Sequence, residues 1–306
     1  MLRTAILAAA RSETVRRTIT HAPISRRVVR RFVAGEDVED AVRVARALQA
    51  DGLHVSLDHL GEDTTDASDA TATVEAYVGL LDRLASEGLA ARAEVSVKLT
   101  AVGLDIDPAL ATANALRIVD AARTAGTTVT IDMEGSDLTD KTLAVVADLR
   151  REEPDVGAVL QAMLRRTEDD CRALAVAGSR VRLCKGAYAE PPTVAFQDRA
   201  DVDASYARCL GVLMRGPGRP LVATHDPALV DLACKLAEHE HRPPGSWELQ
   251  MLYGVRPDEQ KRLVAAGHTV RVYVPYGAQW YGYLMRRLAE RPANLGFFLR
   301  ALASRS

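Results

Sequence analysis

The stretch that decides the fold is residues 128–188, TVTIDMEGSDLTDKTLAVVADLRREEPDVGAVLQAMLRRTEDDCRALAVAGSRVRLCKGAY. Three short runs, Thr128–Asp132, Gly157–Met163 and Arg180–Lys185, read as strands. Between them lie two segments of helical period, Asp137–Arg151 and Glu168–Ala177. Strands that alternate with helices in this way predict parallel strands joined by crossovers. Several strand runs are continuously apolar rather than alternating, which predicts burial on both faces.

The pattern continues in both directions. His54–Leu57 and Ala93–Leu99 precede the stretch, and Pro220–Thr224, Trp247–Leu252 and Thr269–Val274 follow it. Pro108–Ala125, Ala228–His239 and Pro257–Ala266 supply further helices. Pro108 and Pro257 suit a first helical turn, and Gly126, Gly178 and Gly267 stand where C-cap glycines belong. Eight strand–helix alternations predict an α/β chain folded as a (βα)8 TIM-type barrel. Residues 1–50 form an extra N-terminal helical segment before a barrel of residues 51–306, the whole of 1–306 being one domain. A doubly wound sheet is the alternative architecture.

Composition narrows the function classes. A formal net charge of −2 gives no case for nucleic-acid binding. Cys171, Cys184, Cys209 and Cys234 form no C-x-x-C pair, which suits a reduced, cytoplasmic compartment. The apolar run at the N-terminus ends at Arg11, too short for a signal sequence or a membrane span. Residues 1–31 carry eight arginines against Glu13 alone. Solvated helix faces explain them; a patch that touches an anionic membrane surface is the second reading.

Barrel enzymes draw their chemistry from the C-terminal ends of strands. Here nearly every strand delivers a polar group: Lys98, then Asp132 and Glu134, Gln161, Arg182 and Lys185, Thr224 and His225, Glu248 and Gln250, and Tyr273. Singly, each reads as well as a rim ion pair or a cap; Asp226 followed by Pro227 is a helix start in its own right. Together they favour a site. Its cationic excess, with Arg286 and Arg287, suits a phosphate or carboxylate ligand. His239 and His241 resemble a metal pair but fall on the opposite rim, and no glycine-rich dinucleotide fingerprint or P-loop is present. No metal is expected.

Residues 273–294, YVPYGAQWYGYLMRRLAERPAN, resemble the closing signature of the proline dehydrogenase family. The resemblance extends through LDHLGE at 57–62, VKL at 97–99, IDME at 131–134, LQAM at 160–163, VRLCKGAY at 181–188, ATH at 223–225 and ELQMLYG at 248–254. It implies a distorted barrel with FAD across its mouth, and oxidation of L-proline to 1-pyrroline-5-carboxylate by hydride transfer to flavin N5. By motif, Lys98, Arg286 and Arg287 look like binders of the proline carboxylate, and Tyr273 and Tyr283 like walls of its pocket. Asp132, Arg182 and Tyr273 match catalytic positions. Met133, Gln161, Arg182, Lys185, Gly186, Ala187, Thr224 and His225 match FAD contacts. Glu62 is expected to pair with Arg287 as a gate. Ala189 stands where many relatives carry an aromatic residue, which puts one flavin contact in doubt.

The resemblance also implies a membrane quinone as electron acceptor, reached by the basic N-terminal region in a peripheral contact. The chain has room for neither an aldehyde dehydrogenase nor a DNA-binding domain, so a separate pyrroline-5-carboxylate dehydrogenase is expected downstream. Two other readings stay open: a Schiff-base aldolase using Lys98 or Lys185, and a barrel that binds a ligand without catalysis.

Overall fold

Branched and long aliphatic side chains at every second strand position build the outer wall of a barrel. Val55 and Leu57, Val95 and Val97, Val129 and Ile131, Leu160, Val181 and Leu183, Val222, Leu249, and Val272 and Val274 are all buried. They share one core with helix residues such as Tyr77, Leu80, Ile118 and Leu213. Each such side chain contributes roughly 1.5–3 kcal/mol relative to exposure.

The computed structural model describes residues 25–290. Eight strands, β1 (His54–His59), β2 (Ala93–Val97), β3 (Val129–Ile131), β4 (Gly157–Gln161), β5 (Arg180–Cys184), β6 (Arg219–Ala223), β7 (Glu248–Leu252) and β8 (Val270–Tyr276), form a closed barrel in sequence order. All pairings are parallel, and β1 closes the ring by pairing with both β2 and β8, Val55 lying opposite Ala93 and Val272. The doubly wound alternative is thereby excluded.

Two helices precede the barrel, α1 (Ser25–Phe32) and α2 (Val38–Ala50). The crossovers are α3 (Ala67–Ser86), α4 (Pro108–Ala125), α5 (Thr139–Glu152), α6 (Thr167–Leu174), α7 (Arg199–Arg215), α8 (Pro227–His239) and α9 (Pro257–Ala265), and α10 (Trp280–Glu290) follows β8. Local chemistry sets the ends. Asp107 accepts from the Ala109 N–H with Pro108 in the first turn, and Gly126 closes α4 in the left-handed conformation. Asp226 and Pro227 start α8 in the same manner.

The placement of α2 and α10 shapes the mouth. α2 packs on the outside of β1 and β8, the slot that a helix following β8 fills in a regular barrel. α10 packs against α1 instead, and Arg286 on it reaches Glu62 in the β1–α3 loop. The link from α1 to α2 runs beside the end of β8: Ala34 N–H donates to the Pro275 carbonyl, Gly277 N–H to the Gly35 carbonyl, and Trp280 Nε1 to Glu36. The described part of the N-terminal segment thus serves the mouth and the wall. Most of the arginine-rich stretch of residues 1–31 lies outside the described residues.

The strands are buried on both faces, as expected, but only the outer face is apolar. Ser56 and Asp58, Glu94 and Ser96, Arg180 and Arg182, Glu248 and Gln250, and Arg271 and Tyr273 occupy the alternate positions and point inward, where they bond to one another across the barrel. The interior is an ionic column, and the apolar half of each strand belongs to the wall.

Candidate active site

Arg182 is the centre of that column. It is the third residue of β5 and only 4% exposed. Its Nε donates to Gln250 Oε1 at 2.6 Å. Nη1 donates to Ser96 Oγ at 2.8 Å and Asp132 Oδ1 at 2.7 Å. Nη2 donates to Ser56 Oγ at 3.1 Å and Glu94 Oε1 at 2.9 Å. All five guanidinium donors therefore have acceptors, drawn from four strands or strand ends: β1, β2, the end of β3 and β7. Burial alone would lower the pKa of Arg182; Asp132 and Glu94 outweigh it and raise it.

Asp132, immediately beyond β3, faces the mouth. One carboxylate oxygen takes Arg182 and the Ser96 hydroxyl, and the other accepts from the Tyr273 hydroxyl at 2.8 Å. The Arg182 guanidinium also lies 5.4 Å from the centre of the Tyr273 ring. Asp132, Arg182 and Tyr273, named together from the sequence, form one bonded unit.

Above this unit the mouth carries more charge. Lys98 donates to both oxygens of Asp58 at 2.8 Å. Burial would lower the Lys98 pKa, but Asp58 and Asp132 raise it, so the ammonium stays charged. Arg286 makes a two-point pair with Glu62, at 2.5 and 3.0 Å, and sits 6.0 Å from the Tyr188 ring centre. The arginine that Glu62 engages is thus Arg286, next in line to the Arg287 expected from sequence. Neighbours on a helix are about 100° apart, so the helical period alone does not say which guanidinium turns to the loop. Arg287 lies 5.3 Å from the ring centre of Tyr283, which is buried.

Glu134 is buried and accepts from both the backbone N–H and the hydroxyl of Thr100. Burial pushes its pKa up to about 7, against the opposing pull of Thr100 and Lys98. The Gln161 side-chain amide donates to the Glu134 carbonyl at 2.8 Å, tying β4 to the β3 loop beside Met133.

On the far side of the mouth, Lys185 follows β5 and is held by Asp203 and, at 3.1 Å, by Asp226. Gly186 has φ +106, a conformation that favours glycine. A Cβ there would come within 2.5 Å of the Met163 sulfur. Thr224 is buried and accepts from the Asp226 N–H. His225 Nε2 accepts from the Leu252 N–H at 2.8 Å, which puts the ring proton of its neutral form on Nδ1. Ala187 is half-buried beside them and Ala189 is exposed.

One sequence assignment moves and three residues join the site. Glu248 opens β7 and lies at the base of the barrel, bonded to Arg219, Arg271 and Gln250, so it is no part of the mouth. Asp58, given no role in the sequence reading, is the direct partner of Lys98, and Ser96 and Glu94 are partners of Arg182. The alternation of Ser56 with Asp58, and of Glu94 with Ser96 and Lys98, was the signal that could have found them.

A family profile described as proline dehydrogenase matches residues 41–300. Proline dehydrogenase 1 of Bacillus subtilis is 37% identical over 273 residues, covering 89% of this chain and 90% of its own length. The proline dehydrogenase of Deinococcus radiodurans is 38% identical over 277 residues, covering 89% of each.

The chain belongs to the proline dehydrogenase family.

As a member it is an enzyme, an oxidoreductase. Among solved structures, proline utilization A from Bdellovibrio bacteriovorus, inactivated by N-propargylglycine, superposes with a TM-score of 0.78 at 26% identity over 85% of this chain. This proline dehydrogenase family chain spans about a third of the length of that larger one, 32%.

Proposed function

We propose that this enzyme oxidises L-proline to 1-pyrroline-5-carboxylate with FAD as its resident cofactor. One observation carries the reading: the bonded Asp132–Arg182–Tyr273 unit lies beneath a rim of Lys98, Arg286 and Arg287 at the C-terminal end of the barrel.

The residues present fit a flavin. The left-handed backbone at Gly186 permits close approach of a planar ring, and Lys185, Thr224 and the Nδ1 side of His225 are donors suited to phosphate and ribityl oxygens. Met133, Gln161 and Ala187 complete that side. When bound, FAD supplies the two-electron acceptor.

The chain's own residues do the rest. Arg286 and Arg287, with Lys98, bind the substrate carboxylate, for which arginine forks are the matching geometry. Tyr273 and Tyr283 wall the ring; the bulk of Tyr273 crowds a ring hydroxyl, so proline is preferred over hydroxyproline. Arg182 places a fixed positive charge beneath the reacting face, stabilising negative charge as it develops. Asp132 holds Arg182 and the Tyr273 hydroxyl in register. Glu62 holds Arg286 over the substrate as a gate.

Electrons pass on to a membrane quinone, and the product to a separate pyrroline-5-carboxylate dehydrogenase. No helix among the described residues is long and apolar enough to cross a membrane. A cytoplasmic enzyme that meets the membrane peripherally through its N-terminal arginines suits this acceptor; binding that persists after deletion of that segment counts against the arginines.

The aldolase reading is disfavoured by the lysines themselves. A Schiff-base nucleophile needs a neutral amine. Lys98 is held charged by Asp58, and Lys185 sits between two aspartates.

The test is an absorbance spectrum of purified protein before and after anaerobic L-proline. A flavin band that bleaches supports the reading. A flavin band indifferent to proline moves the substrate to another secondary amine. Protein that stays colourless after FAD is supplied overturns it.

A further inference from the structure

The opposite end of the barrel holds a second cationic cavity. It has a volume of about 640 Å³ and is lined by Arg180, Arg219, Arg242 and Arg271, with His54 and Ser246. This is the size of a small-molecule site, on the rim that barrels ordinarily use for stability.

Structural pairing leaves a surplus there. Arg180 and Arg271 are buried, and their carboxylate partners are Glu94 and Glu248. Arg219 also draws on Glu248, through Nη2 at 2.9 Å. Among the described residues Arg242 has no carboxylate partner, and it donates to the carbonyls of Gly216, Gly218 and Ser246. Four guanidiniums thus share two interior carboxylates, with Asp155 the one further acid at the cavity wall. Its carbonyl accepts from Arg180, and its residue is exposed.

The donors are also unfilled. Among the described residues, Nε of Arg219, Nε of Arg242, the Ser246 hydroxyl and Nδ1 of His54 are buried atoms with no protein hydrogen-bond partner. Buried polar groups in folded proteins are nearly always paired, and charged donors are the costliest to leave unpaired. The field at this rim is strongly positive: burial first, then Arg271, hold the His54 pKa down at about 4, despite the opposing pull of Glu248. His54 is neutral at physiological pH and adds polarity without charge.

We propose that the base of the barrel binds a phosphorylated small molecule, its phosphoryl oxygens received by Arg219, Arg242 and Ser246. Arginine forks and a hydroxyl match a tetrahedral oxyanion, and the volume accommodates more than one phosphoryl group.

The test uses flavin-loaded enzyme, so that the mouth is filled, and calorimetric titration with inorganic pyrophosphate and with ADP at constant ionic strength. Saturable binding is expected with either or both probes; the stronger one identifies the source as inorganic or nucleotide. Arg219→Gln, which leaves Glu248 paired with Arg271, is expected to weaken binding about tenfold. Ser246→Ala removes a hydroxyl that no residue uses, so folding is unaffected, and is expected to weaken binding about threefold to tenfold. Excess proline should leave the affinity unchanged. Absence of saturable binding overturns the proposal. So does equal affinity in wild type and Ser246→Ala, or displacement by proline.

Discussion

Lys98 donates to both carboxylate oxygens of Asp58, 2.8 Å from each, and both side chains are buried at the barrel mouth. Removing one partner strands the other charge. Asp58→Asn is therefore expected to destabilise the protein by about 3–5 kcal/mol. Urea unfolding measures it, and the Asp58→Asn, Lys98→Met double variant should lose clearly less than the two single variants summed.

Arg182 offers five donors to five acceptors in a fixed fork, and lysine cannot reproduce this. Arg182→Lys is expected to slow proline-dependent flavin reduction by roughly 10²–10³-fold, the scale of losing a preorganised donor at developing charge. Anaerobic stopped-flow bleaching reads the rate. A change under tenfold would remove Arg182 from the chemistry.

Glu134 makes stability depend on pH. Its carboxyl, ordinarily near 4.5, is raised to about 7 chiefly by burial, so the folded state holds this proton more tightly than the unfolded chain does. The contribution is fully present below about pH 4.5 and is lost as pH rises through 7. The span corresponds to up to ~3 kcal/mol. Unfolding free energies at about pH 5 and pH 8 should differ less in Glu134→Gln than in wild type; equal slopes would locate the titration elsewhere.

Glu62 fixes Arg286 by two charge-assisted bonds. Glu62→Ala is expected to raise the proline dissociation constant about tenfold, since such bonds contribute roughly 1.5–3 kcal/mol. Unchanged affinity would count against a gate.

The barrel was legible in the sequence because crossover helices and strands differ in period, and because Pro108, Gly126 and Pro227 mark their ends chemically. Strand ends were less so. Ala93–Leu99 was read where the ladder stops at Val97, since Lys98 and Leu99 keep the strand-like composition after the pairing has ended. β8 runs two residues further than expected, to Tyr276, because Pro275 and Tyr276 still pair with Asp58 and His59 of β1. Within the site, Asp132, Arg182 and Tyr273 were found together. Asp58 was not: its alternation with Ser56 marks an inward face, but its partner Lys98 lies beyond the end of the next strand, and nothing local names it. Glu248 was assigned to the mouth from its strand alone, and its position at the strand's first residue decides otherwise.

The ionic column inside the barrel has a consequence for how the protein tolerates change. Glu94 joins Arg180 at the base to Arg182 at the centre, and Glu248 reaches Arg182 through Gln250. In a medium of low dielectric constant, charges so linked feel one another along the whole chain of bonds. The floor of this barrel is accordingly not an inert foundation on which the upper loops can be exchanged at will. A conservative-looking swap of one basal arginine redistributes the electrical load on the members bonded above it, up to Arg182 at the centre of the barrel.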